Sequence, residues 1–198
     1  MPESFKKNLG GEEILLPEIN NKALVLLKDL VLIFSFSFLT AISAKFKIEI
    51  GPVPITLQTL VVLLSGAFLG AKKGAASQVF YLLGGVAGFP WFSRGGGIPY
   101  LFSPTLGYIM GFIFAAYLVG FLTEKGGGKD IKSAVLVMLI GNIVIYIPAL
   151  IWLLNFFDPQ KALLVGLYPF IIGDLAKLIL AGLILAKNQK LIEEYKPR

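Results

Sequence analysis

The chain has 198 residues, 56% of them hydrophobic, with a mean hydropathy of +0.79 and a formal net charge of +6. About twenty apolar residues carry a helix across a bilayer's hydrocarbon core, and there is room here for about six such runs, so a soluble domain is excluded in favour of a single-domain polytopic helical membrane protein. Cys and His are both absent, which removes thiol nucleophiles, disulfides, zinc–thiolate sites and imidazole bases, and the Lys and Arg residues gather between apolar runs, a positive-inside pattern rather than a nucleic-acid-binding face.

Residues 1–21 form a polar N-terminal segment without the apolar core of a signal peptide; a short surface helix is expected around EEILLPEI. The membrane domain is expected over 22–187 and a charged tail over 188–198. The first apolar run covers 23–44 and ends at KFKIE (45–49). GPVPI (51–55) is a turn or extended segment, because each proline disfavours helix in the residue before it, and Pro54 suits the first turn of the next helix. That second run is expected over 55–70, stopping at AKKG (71–74), and a third over 75–88. FPWFSRGGGIPYLFS (89–103) is irregular: its prolines and triple glycine forbid helix while its aromatics seek burial, which marks a lid or site rather than a linker. A fourth run spans 104–123, the polar turn TEKGGGKDIK follows, the fifth covers 133–154, and the sixth starts within 163–170 and ends at Ala186.

With six spans both ends of the chain share a side. That side carries twelve basic residues: Lys6, Lys7, Lys22, Lys72, Lys73, Lys125, Lys129, Lys132, Lys187, Lys190, Lys196 and Arg198. The other carries four: Lys45, Lys47, Arg94 and Lys161. The termini are therefore expected in the cytoplasm and the aromatic loop outside. Glycines recur at four-residue spacing (Gly66, Gly70, Gly74; Gly84, Gly88; Gly107, Gly111), and Ser37 with Ala41 and Thr40 with Ala44 make similar stripes; such stripes let backbones approach, inside the bundle or against a partner helix.

Asp174 and Lys177 are the sharpest chemical feature. Spacing of i, i+3 puts them on one helical face, and an ionised group at bilayer depth costs roughly 3 kcal/mol, so such residues face an interior or a cavity. They form either a polar ligand site or a self-neutralising pair. Arg94, in the outward loop, has the planar fork that suits a carboxylate, or it is a solvated loop charge. Gln58 with Thr56 on the second helix, Asn142 with Tyr146 at i, i+4 on the fifth, and Gln78 with Tyr81 on the third either contact a ligand or tie helices together. GxxxxGK[ST] does not occur, and GGGKD (126–130) lacks its spacing and its Ser/Thr, so the chain is not expected to hydrolyse ATP. No metal or cofactor is called for, and with no His or Cys a membrane-embedded enzyme is poorly equipped.

The segment GPVPITLQTLVVLLSGAFLGAKKGAASQVFYLLGGVAGFPWF, the Gly-rich stretch after it, SPTLGYIMGF and PFIIGDLAK together closely resemble the BioY family, the biotin-binding S components of energy-coupling factor (ECF) transporters, over roughly residues 30–187. The resemblance implies an all-α bundle of six transmembrane helices with a structured outward loop between helices 3 and 4, capturing biotin at the outer face of the plasma membrane. It also implies partners: a transmembrane coupling subunit and two cytoplasmic ATPases, besides membrane lipid. Asp174, Lys177 and Arg94 map onto the family's ligand contacts. In that reading Asp174 accepts from a ureido N–H and Lys177 donates to the ureido oxygen. Arg94 holds the carboxylate, and Trp91, Phe92 and Tyr100 wall the ring system. An S component for another small vitamin and a stand-alone secondary transporter are the alternatives.

Overall fold

The computed structural model describes residues 21–189. The surface helix expected around EEILLPEI and most of the charged tail lie outside the described residues. The first apolar run forms α1 (Asn21–Ser43), followed by a two-residue antiparallel pair, β1 (Lys47–Ile48) and β2 (Ile55–Thr56), with Lys47 opposite Thr56. GPVPI is the turn of this hairpin. Pro54 therefore precedes β2 instead of starting a helix, and α2 (Gln58–Leu69) begins four residues later, once the backbone N–H of Leu57 has closed the hairpin on the Phe46 carbonyl.

AKKG is not a linker. Gly70, at φ +79°, makes the whole turn between α2 and α3 (Ala71–Val86), and AKKG is the first turn of α3. Two distant acids support it there: a Glu124 carboxylate oxygen accepts from the Ala71 backbone N–H at 2.8 Å, and Asp29 pairs with Lys73 at 2.5 Å. After the aromatic loop, with its 3-10 turn at Ile98–Phe102, come α4 (Leu106–Glu124) and α5 (Ile131–Leu153), the latter capped by Asp130 accepting from the Ser133 N–H. The sixth run divides. Asp158 caps a short α6 (Pro159–Gly166) with Pro159 in its first turn; a 3-10 turn (Tyr168–Phe170) then leads into α7 (Ile171–Lys187).

Among the described residues four helical stretches, Ala23–Ser43, Leu106–Glu124, Ile131–Leu153 and Pro159–Lys187, are long and apolar enough to cross a membrane; α2 and α3 are shorter. α4 is central, packing on α2, α3 and α5, while α7 lies on α5 and α2, and α1 on α3 and α2. The glycine stripes serve close packing. A Cβ at Gly66 would stand 2.2 Å from the Ala116 carbonyl oxygen, and one at Gly111 2.6 Å from that of Ile145, so α4 meets α2 and α5 backbone to backbone. Ser37, Thr40, Ala41 and Ala44 are all buried within the bundle, whereas Leu27, Val31, Phe34 and Phe38 form the exposed apolar face of α1.

Candidate ligand-binding site

At one end of the bundle a cavity lies between α2, α3, α4, α5 and α7, with about 500 Å³ of empty space when its open mouth is included. Ile109, Phe112, Ile145 and Phe170 supply apolar wall, and among the described residues Lys177 is the only charged side chain lining it.

Behind Lys177 sits a polar cluster built from two helices. Helical spacing brings Asn142 and Tyr146 to one face of α5 and Asp174 and Lys177 to one face of α7, and the packing of α5 on α7 joins them. One Asp174 oxygen accepts from Lys177 Nζ at 2.7 Å; the other accepts from Tyr146 OH at 2.5 Å and Asn142 Nδ2 at 3.1 Å. Lys177 also donates to Thr59 Oγ1 at 3.3 Å, which ties α7 to the first turn of α2. Asp174 is 3% exposed and Lys177 9%. The charges neutralise each other, and Lys177 and Tyr146 both line the cavity. The Asn142 carbonyl oxygen, turned from this bond, has no partner among the described residues.

On the α3 side, Gln58 Nε2 donates to Tyr81 OH at 2.6 Å, and both side chains line the cavity, as do Thr56 and Tyr100. Tyr100 bonds Ser93 Oγ at 3.0 Å. Trp91 and Phe92 do not line it. They fill the space left by two glycines of α3, where a Cβ on Gly84 would meet the Trp91 ring at 2.3 Å and one on Gly85 the Phe92 ring at 2.1 Å, and they hold Tyr81 from behind. Gln78 lies elsewhere. Fully buried, its Nε2 donates to Ser65 Oγ at 3.1 Å and more distantly to Thr40 Oγ1, binding α3 to α2 and α1, while its Oε1 has no partner among the described residues.

Arg94 stands outside the cavity, exposed, lining a second, outer hollow of about 560 Å³ that shares Tyr100 and Thr105 with the first. Its guanidinium is engaged: it donates from Nε and Nη2 to the Glu49 carboxylate and from Nη1 and Nη2 to the Pro52 and Gly51 carbonyls. This clasp joins the hairpin loop to the aromatic loop. Arg94, and after it Lys47, hold the Glu49 carboxyl down at about 2 from its ordinary 4.5. A depressed carboxyl favours the folded clasp fully above its ordinary value and loses that contribution as pH falls toward its folded value. Hydrogen exchange in residues 45–57 is accordingly expected to show no added opening from neutral pH down to 4.5, and increasing opening as pH 2 is approached.

Tyr108, Thr59 and Phe170 were not candidates from sequence. Tyr108 donates to the Gly166 carbonyl at 2.5 Å and places its ring on the cavity wall; a tyrosine in the first turn of an otherwise apolar helix was the available signal. Among the described residues no group of three or more His, Cys, Asp or Glu side chains could hold a metal ion.

The BioY family model matches residues 17–194. A probable biotin transporter BioY of Lysinibacillus sphaericus is 36% identical over 170 residues, covering 82% of this chain and 87% of the relative. The biotin transporter BioY of Thermotoga maritima is 38% identical over 159 residues, covering 79% and 92%. Among solved structures, the S component for biotin from an ECF-type ABC transporter superposes with a TM-score of 0.75 at 28% identity, covering 86% of this chain and 94% of that one.

Proposed function

Because the chain belongs to the BioY family, we propose that it captures biotin as the substrate-binding S component of an ECF-type uptake transporter. It is a transport component and not an enzyme. The observation that carries the ligand reading is Lys177, neutralised by Asp174 behind it, on the wall of a cavity lined by apolar and uncharged polar side chains. A ureido group offers two N–H donors and a carbonyl. Lys177 has one N–H left after Asp174 and Thr59 for the ureido oxygen, and three donors on Asp174 leave about one of its four acceptor positions for a ureido N–H.

Six passes fit the fold if α2 and α3 each count as one and α6 continues into α7. The twelve-to-four distribution of basic residues supports cytoplasmic termini and a cavity that faces outward. In this reading ATPase partners, reached through a transmembrane coupling subunit, supply the energy, which agrees with a sequence in which no phosphate-binding loop occurs. The decisive experiment is mass spectrometry of ligand retained by detergent-purified protein, followed by binding across a panel of vitamins. Retained or tightly rebound biotin is the expected result. Selective binding of another vitamin would overturn the assignment, and uptake in vesicles lacking any ATPase would overturn the S-component role.

Arg94 receives the ligand's carboxylate in this reading by exchange with Glu49, since the outer hollow adjoins the cavity at Tyr100 and Thr105. Arg94→Ala is then expected to weaken biotin about tenfold more than biotin amide, the scale of a charge-assisted bond. Equal losses, matched by Glu49→Gln, would leave Arg94 only the clasp.

A further inference from the structure

The hydroxyl of Tyr81 has its polarity decided by a chain of bonds that starts at the backbone. The Gln58 backbone N–H donates to Thr56 Oγ1 at 3.2 Å, so that hydroxyl must send its own proton elsewhere, and it donates to Gln58 Oε1 at 3.0 Å. In the structure the amide oxygen faces Thr56 and its nitrogen faces Tyr81, the orientation in which the threonine proton has an acceptor. Gln58 Nε2 then donates to Tyr81 OH at 2.6 Å, so Tyr81 accepts here and its proton must point away from Gln58. Among the described residues no acceptor takes that proton.

The ring cannot turn to find one. Tyr81 is fully buried, lies parallel to Trp91 at 8°, meets Phe92 edge-on with centroids 5.4 Å apart, and has Phe112 at 6.5 Å. Only the O–H rotor is free. With one in-plane position facing the Gln58 donor, the other is left to the proton. Gln58, Thr56 and Tyr81 all line the cavity.

We propose that Tyr81 is a specificity-determining hydrogen-bond donor, held in that polarity by Gln58 as a positioning residue, and that it selects ligands presenting an oxygen acceptor at that point. The inference rests on the cavity being the biotin site and deepens that reading: beside the charged donor Lys177 the ligand must satisfy a second, neutral and immobile donor on α3. Biotin has two oxygen acceptors that qualify, the ureido carbonyl and the carboxylate.

The test compares Tyr81→Phe with the parent protein in binding biotin, 2-thiobiotin (ureido oxygen replaced by sulfur) and an analogue whose carboxylate is replaced by methyl. Tyr81→Phe keeps the ring stack, and thermal unfolding in detergent confirms the fold. The expected loss for biotin is on the order of tenfold. It should shrink to about twofold or less for the one analogue that lacks the contacted oxygen, which identifies that oxygen. Gln58→Met, which frees the rotor, should give a smaller loss with the same dependence on analogue and add nothing in a Tyr81→Phe background. Unchanged biotin binding by Tyr81→Phe, or equal losses for all three ligands, would overturn the proposal by leaving Tyr81 a packing role. Failure of the parent protein to bind biotin would overturn the functional reading itself, and this inference with it.

Discussion

Asp174→Asn is expected to abolish high-affinity biotin binding, with a loss of at least about a hundredfold, and to destabilise the folded protein by about 3–5 kcal/mol. The reason is the arrangement of donors. Asp174 receives bonds from Lys177, Tyr146 and Asn142 and is the counter-charge to an ammonium that is 9% exposed. An amide at this position keeps one acceptor oxygen and no charge: Tyr146 and a turned Asn142 can accept its NH₂, but nothing replaces the counter-charge to Lys177. Lys177 is left charged without a partner at bilayer depth, where an unpaired ion is most costly. Isothermal calorimetry with biotin and thermal unfolding in the same detergent measure the two effects. The double variant Asp174→Asn with Lys177→Met separates them. By removing the orphaned charge it should recover most of the stability and none of the binding. A folded Asp174→Asn protein with near-parental affinity would remove the pair from the recognition site.

The second large effect is expected far from the cavity, at Gly66. Its Cα hydrogens face the Ala116 carbonyl, and Gly74 comes so near that a Cβ there would stand 2.7 Å from the Gly66 Cα. Three helices therefore meet without any side chain between them. Gly66→Val should destabilise by about 3 kcal/mol, the upper end of ordinary overpacking. The 2.2 Å approach to a backbone atom cannot be relieved by a rotamer change. α2 also carries Gln58 and Thr59 at its other end, so the displacement should weaken ligand binding as well. Gly51→Ala, in a turn with open space around it, is the matched control and should leave the melting temperature unchanged. A Gly66→Val protein that melts with the parent would show that α2 and α4 can separate freely.

Most of the helical architecture was legible because hydrocarbon imposes a simple rule on composition, and α1, α4 and α5 follow the apolar runs closely. The boundaries that moved were decided by tertiary partners. AKKG looks like a polar break, yet Glu124 and Asp29, both distant in sequence, turn it into the start of α3. The site was half legible for the same reason. Periodicity pairs Asp174 with Lys177 and Asn142 with Tyr146, each within one helix. That the two pairs converge on one carboxylate depends on how α5 crosses α7, which no local pattern states. A guanidinium's affinity for carboxylates singles out Arg94 in the sequence, and the structure supplies a carboxylate from its own hairpin. Gln78 shows the limit of reading polarity alone, since a buried amide that ties helices and one that meets a ligand have the same sequence signal.

The shortness of α2 has a consequence for how the helices depend on one another in a bilayer. Twelve residues at 1.5 Å each reach only about 18 Å, against a hydrocarbon thickness of about 30 Å. α1, at 23 residues and mostly exposed on its outer face, can reside in lipid as an independent span. α2 cannot. Its depth is set by the turn at Gly70 into α3 and by its packing on α4, so its place in the membrane belongs to the assembled group rather than to its own length. The hydroxyl and amide contacts of Ser37, Thr40 and Gln78 dock α1 onto the assembled group, where apolar faces, already in lipid, would gain little by associating.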